Sequence, residues 1–251
     1  MRYFVQSFVA IAALSAWATP ASSQVISVDT AMDLSMGAGS FLLSNMVLES
    51  VIESSEEDGK DKPKAQPKKQ GQNKLHGPSV NQSNASATRF IRKSGYSKSV
   101  EAMAGLYPPS QQKDARAAFN QLLTAYPQII KQLGAPENDL AVGMASFIAG
   151  NYSGYTNQPF PDDKFLPLVE QLRSSMSDDP NITAMSNDQK QQLNDILAAV
   201  GTLMAVAQLN LQHAPNDLLA KQMRQASQRN LSQTLGINAA DLRFTDAGMI
   251  I

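Results

Sequence analysis

Two histidines, no cysteine and a thin scatter of carboxylates are the reactive side chains of this 251-residue chain. Without a thiol, nucleophilic cysteine chemistry, disulfides and thiolate metal sites are excluded. His76 falls in a lysine-rich polar stretch that cannot hold a rigid site. His213 falls at the end of the longest helical pattern, where an imidazolium would meet the helix dipole and free carbonyls. A zinc site would need carboxylates to fill the shell around His213 alone, so no metal or other cofactor is expected. Asp162-Asp163 and Asp178-Asp179 lie at loops or helix starts without the spacing of a helix-loop-helix calcium site; capping is the simpler role for Asp162 and Asp163. No Gly-x-Ser-x-Gly elbow and no phosphate-cradling glycine loop occurs. Glu101, Glu137 and Glu170 could supply a pair of carboxylates for glycan hydrolysis by residue type, with no spacing to support it.

One cluster suits recognition better than catalysis. Gly150-Asn151-Tyr152-Ser153-Gly154-Tyr155-Thr156-Asn157 places two tyrosines and two asparagines at a glycine-hinged helix end. Asn151, Tyr152, Tyr155 and Asn157 are therefore the candidate binding residues, able to stack on a sugar or peptide and hydrogen-bond to it. The competing reading packs both tyrosines on the protein's own body and uses Asn151 to end the helix.

The elements that must position these residues follow from patterning. Residues 1–23 have the form of a cleavable signal peptide. Arg2 gives a positive start, Tyr3 to Trp17 is an apolar run broken only by Gln6, Ser7 and Ser15, and Ala21-Ser22-Ser23 is a small-residue cleavage site. The run is too short to be a stable span. The mature chain is expected in the periplasm or outside the cell, with no transmembrane segment. An exported chain without disulfides suits a bacterial envelope and must be stabilised by a packed core.

Residues 24–53 mix small and apolar side chains, with a possible short helix over Phe41 to Ile52. Its apolar side chains cover more than one stripe, so it calls for a partner surface: the protein's own body, another protein, or a membrane. Residues 54–87 are polar and lysine-rich, a composition that cannot bury enough surface to offset its ordering entropy, and read as a disordered linker. Ten basic residues and one acid fall between Lys60 and Lys98, against ten basic and fourteen acidic from Ser99 onward. The lysines act as a solvated spacer or as a weak contact for anionic surfaces. The formal net charge of −1 gives no sign of a nucleic-acid partner.

Residues 88–251 carry the folded domain, and its period is helical throughout. Val100, Met103 and Leu106 mark a first helix before Pro108-Pro109. Ser110 is placed to cap a second, with Ala115, Ala118, Phe119, Leu122 and Tyr126 inward and Pro127 expected to kink or restart it before Gly134. Asn138-Asp139 open a third helix to about Asn151, apolar almost all round, with small residues that permit close approach of a neighbour. Phe165 to Met176 forms a fourth. Ser186-Asn187-Asp188-Gln189 is a capping box opening the longest helix, to about Leu211. Pro215 starts a last helix that stops at Gly236. Leu242 to Thr245 is extended and similar to Thr88 to Ile91, so the two are expected to pair or pack side by side where the chain enters and leaves. The fold class is all-α, a compact bundle of about six helices.

The stretch from Leu133 to Tyr155, with its Asn-Asp-Leu-Ala helix start and Asn-Tyr-x-x-Tyr close, resembles a family of secreted, uncharacterised bacterial proteins that is known as a domain of unknown function. Arg89-Phe90, the Ser-x-x-Gln-capped helix and Leu-Arg-Phe-Thr-x-x-Gly add to that resemblance over residues 88–251. It implies an exported helical domain and assigns no catalytic residue. The expected function is a non-catalytic envelope module that binds a protein or glycan; the alternative is a secreted hydrolase acting on cell-wall glycans.

Overall fold

A computed structural model describes residues 87–95 and 97–251. The expected signal peptide, the segment 24–53, most of the linker and His76 lie outside the described residues. Seven α-helices follow: α1 (Ser97–Ala104), α2 (Gln112–Gln132), α3 (Leu140–Thr156), α4 (Phe165–Ser177), α5 (Pro180–Ala184), α6 (Asn187–His213) and α7 (Asp217–Leu235). A short hairpin of β1 (Arg243–Thr245) and β2 (Gly248–Ile250) closes the chain.

The helix ends obey local chemistry. Asp139 caps α3 by accepting from the Ala141 N–H at 3.0 Å. Ser186 and Gln189 form both halves of the expected capping box at α6. Asn216, not Pro215, caps α7. Gly134 and Gly236 take the left-handed conformation where the helices before them end. At α2 the observed cap is Gln111 without a side-chain bond, so Ser110 does not serve.

Pro127 neither kinks nor restarts the chain: it lies inside the continuous helix Gln112–Gln132. An interior proline costs about 3 kcal/mol through a lost hydrogen bond and a ring clash. Here Leu122, Leu123 and Tyr126 before it, and Ile129 and Ile130 after it, are all buried on one side of α2. Their burial, about 1.5–3 kcal/mol for each large side chain, outweighs that cost.

The core is organised around α3 and α6. Their backbones nearly touch at Gly150 and Gly201: a Cβ on Gly150 would collide with the Gly201 carbonyl, and one on Gly201 with the Ser146 carbonyl. Only glycine fits at this crossing. Phe147, Ile148, Ile196, Leu197 and Met204 are fully buried around it. By length and composition α6 could cross a bilayer, but two-thirds of its most apolar stretch is buried inside the bundle.

Chain entry and exit each pair with another segment rather than with one another. The Thr88 carbonyl accepts from Leu140 N–H at 2.9 Å and Phe90 N–H donates to the Asn138 carbonyl at 3.1 Å, so the entering segment docks on the start of α3. Leu242 to Thr245 finds its partner in Gly248–Ile250 instead, with Phe244 opposite Met249. Gln171 of α4 holds that hairpin by bonding both the N–H (2.6 Å) and the carbonyl (2.7 Å) of Met249. A local turn closes a hairpin at far less entropic cost than joining ends more than 150 residues apart.

Candidate functional site

The end of α3 is built differently from its sequence reading. The helix continues past Asn151 to Thr156, because Gly150, Ser153 and Gly154 leave room for α6 and α7 to pack against it. Asn151 is wholly buried; its amide donates to the Phe147 carbonyl (2.8 Å) and its oxygen accepts from Asn230 of α7 (2.8 Å). It is an interhelical bridge, not a surface residue. Tyr152 stacks edge-on with Phe160 and Phe244 at centroid distances of 6.1 and 4.8 Å. Tyr155 is half-buried against the core, and its carbonyl accepts from Arg224 at 3.0 Å. Asn157 is the left-handed cap of the helix, with φ 55°. The four residues do not form one exposed cluster.

A recess opens beside them. Tyr126, Ile129, Ile130 and Leu133 of α2, Ser146, Ala149, Gly150 and Ser153 of α3, and Gly201, Thr202 and Ala205 of α6 line it, with Phe160, Asp162 and Phe165 from the α3–α4 connection. Its volume is about 40 Å³, room for about three water-sized groups. Gly150 and Gly201, where α3 and α6 approach most closely, are part of that lining.

The polar groups of this recess are mostly spent as donors. Ser146 Oγ donates to the Val142 carbonyl at 2.8 Å, which leaves the Tyr126 hydroxyl, 3.1 Å away, as the donor to Ser146. Burial pushes the Tyr126 pKa up, so it stays a neutral phenol. Ser153 donates to the Ala149 carbonyl at 2.9 Å.

Thr202 keeps its hydroxyl uncommitted, and Asp162 is the charged exception. It opens a single 3-10 turn, Asp162–Lys164, whose cap position is Pro161, so it is not the capping residue its position suggests. No described residue gives its carboxylate a hydrogen bond or an ion pair. Lys164, in the same turn, is engaged by Asp163 at 2.8 Å and Asp246 at 2.6 Å. Burial, helped by the Asp163 charge, lifts the Asp162 pKa to about 6. Asp162 is thus ionised at neutral pH without a partner of its own.

A second polar group lies at the start of α3. The Asp139 carboxylate, besides capping, is held by Arg173 of α4 through Nε and Nη2, both at 2.9 Å. Arg92 of the entering segment binds the buried Asp195 of α6 at 2.8 Å and Asn138 at 2.8 Å. Ser99 donates to Asp195 at 3.2 Å. Burial pushes Asp195 up, against the pull of Arg92. Each charge is matched within the protein, and the cluster ties chain entry, α1, α4 and α6 to the α3 start. Asn138-Asp139, the helix-opening residues of the resemblance, therefore fix an architecture and not an active site.

A match over residues 5–251 to the model of a family of unknown function, DUF6683, accounts for the shared motifs. The chain belongs to that family. The match extends the resemblance, expected over 88–251, into the N-terminal segment and linker, so DUF6683 includes them. No curated protein and no solved structure matches the chain. For DUF6683 the description supplies no activity, and the chemistry must come from the side chains.

Those side chains give little catalytic geometry. Glu101 pairs with Arg116 at 2.8 Å, Glu170 with Arg173, and Glu137 is exposed in the α2–α3 loop; none lines the recess. His213 is exposed as the last residue of α6. Among the described residues no group of three or more His, Asp or Glu is placed to hold a metal ion.

Proposed function

We propose that this chain is an exported, non-catalytic helical module that binds a protein or glycan partner in the bacterial envelope, and that the recess between α2, α3 and α6 is its contact point. The observation that carries the reading is the combination found there: apolar walls, hydroxyls mostly spent as donors, and a half-buried aspartate that no described residue pairs. Folding normally pairs a half-buried charge or leaves it in water. An unpaired one at an open recess is what a binding site needs and a packed core avoids. Export rests on the N-terminal charge and apolar pattern, and in this reading the lysine-rich stretch serves as the spacer between membrane or envelope and the helical domain.

The test has two arms. N-terminal sequencing of the protein recovered from the envelope or medium should begin near Gln24; recovery of uncleaved chain from the cytoplasm refutes export. For the recess, the mature protein and its Ala205→Leu and Leu133→Trp variants are used to capture binding partners from an envelope fraction. Ala205→Leu fills the recess and Leu133→Trp covers its rim. Retention of a partner by the parent chain and its loss from both folded variants supports the assignment. Equal capture by all three removes the recess from the function.

A further inference from the structure

We infer that the recess takes an alkylammonium group, the lysine-type side chain of a protein partner, with its methylenes between α2 and α6 and its nitrogen against Asp162. This rests on the recess being the binding site, and it chooses protein over glycan as the partner.

Three observations lead there. First, the walls are apolar where a stem would lie: Ile129, Ile130, Leu133, Phe160 and Phe165 surround the opening. Second, the space suits a short stem. A cavity of about 40 Å³ holds about three groups the size of water, and a methylene is of similar size. That admits a stem of about three carbons, with the charged end at the opening, and leaves no room inside for a whole pyranose ring. Third, the hydrogen-bonding capacity leans toward acceptors, although the Thr202 hydroxyl, which no described residue binds, can still donate. The hydroxyls of Ser146 and Ser153 have given their protons to carbonyls, and that of Tyr126 has gone to Ser146, so what they offer inward is lone pairs. Asp162 adds a negative charge.

An ammonium donates three hydrogen bonds and accepts none, so it complements such a site; a carboxylate or phosphate ligand would be repelled. Lysine stems bury along apolar surface while the charged head stays near water, which is the arrangement of these walls and this rim. The charged groups around Asp162 are Asp163 and Lys164 in its own turn; of these, Lys164 is held between Asp163 and Asp246 and does not compete for Asp162. Across the recess, Tyr126 remains neutral.

The probe is n-butylammonium, titrated into the whole mature protein at pH 7.5 and followed by NMR shifts of the recess methyl groups, with n-butanol as its neutral counterpart. Saturable binding is expected. Butanol should bind about tenfold more weakly, and Asp162→Asn should weaken the ammonium by about the same factor while leaving butanol unchanged, since one charge-assisted contact is being removed. Lowering the pH from 7.5 to 5 should reproduce the Asp162→Asn result in the parent chain, as the carboxylate takes up a proton. Equal affinity for the alcohol and the ammonium, indifference to Asp162→Asn, or no saturable binding overturns the inference. Saturable binding of N-acetylglucosamine at the same methyl groups overturns it in favour of a glycan. If butylammonium fails while Ala205→Leu and Leu133→Trp still abolish partner capture, the binding site stands and only its ligand class falls.

Discussion

Asp139, Asp195 and Asp162 are each drawn at least partly out of water, and the protein treats them in two ways. At the start of α3, Asp139 and Asp195 are each met by an arginine, Arg173 and Arg92, with further bonds from Ser99 and the Ala141 N–H. At the far side of the α3–α6 crossing, Asp162 receives no such partner and its pKa rises to about 6. The first arrangement spends charge on holding helices together; the second keeps a charge available. The difference separates an architectural polar cluster from a candidate binding site more reliably than residue type does, because all three are aspartates.

The sharpest way to break this comparison is to remove the arginine from the architectural pair. Arg173→Met should lower stability by about 3–5 kcal/mol in urea unfolding, since it strands the Asp139 carboxylate in the interior. A loss below about 1 kcal/mol would mean that the cluster is no more than a surface pair. Next, Gly201→Ala tests the crossing that separates the two regions. Its new methyl would meet the Ser146 carbonyl, and a loss of about 1–3 kcal/mol is expected as α3 and α6 are forced apart. The same unfolding curves read it.

Asp162→Asn should act with the opposite sign. A carboxyl whose pKa is raised by folding adds stability below its unfolded pKa, near 3.8, and loses it as pH rises through about 6. At pH 7.5 the ionised form is therefore a burden, and Asp162→Asn should raise Tm by about 2–4 °C, discounted for the carboxylate's partial exposure. At pH 4 the two proteins should melt together. A lower Tm at pH 7.5 would show that the charge has a hidden partner. The smallest effect is expected for Glu101→Gln. The Arg116 bond that holds this carboxyl below its usual pKa is fully exposed, so the melting curve should not move within error.

What the sequence makes legible is local. The Ser186 capping box, the Asp139 cap, the glycine stops and the buried stripe of α2 are each set by residues within one or two turns, and all appear in the fold. The small residues of α3 announce a close neighbour without naming Gly201 as the other half. Helix ends misled where packing overrode local signals. Asn151 sits where a helix could end, but the absence of side chains at Gly150 and Gly154 lets α6 and α7 press against α3 and keep it helical.

The recess could not be read at all. It joins Tyr126, Ser153, Asp162 and Thr202, residues far apart along the chain with no shared spacing, and only the α3–α6 crossing brings them together. The one faint signal was Asp162-Asp163 in a proline-flanked loop, which capping seemed to explain. The second role of Asp139 was hidden in the same way, for Arg173 lies more than thirty positions away.

The docking of the entering segment decides how the domain would bear a mechanical load. Tension along the chain from residues before Ala87 reaches the fold at Thr88, where the Leu140 bond and the Lys190 ammonium on the Ala87 carbonyl take the strain. Lys190 lies eleven residues before Gly201 on α6, about 17 Å along the axis. Pulling on the chain there would load the first turns of α3 and α6 before it reached Gly201, Thr202 and Ala205 on the α6 side of the recess.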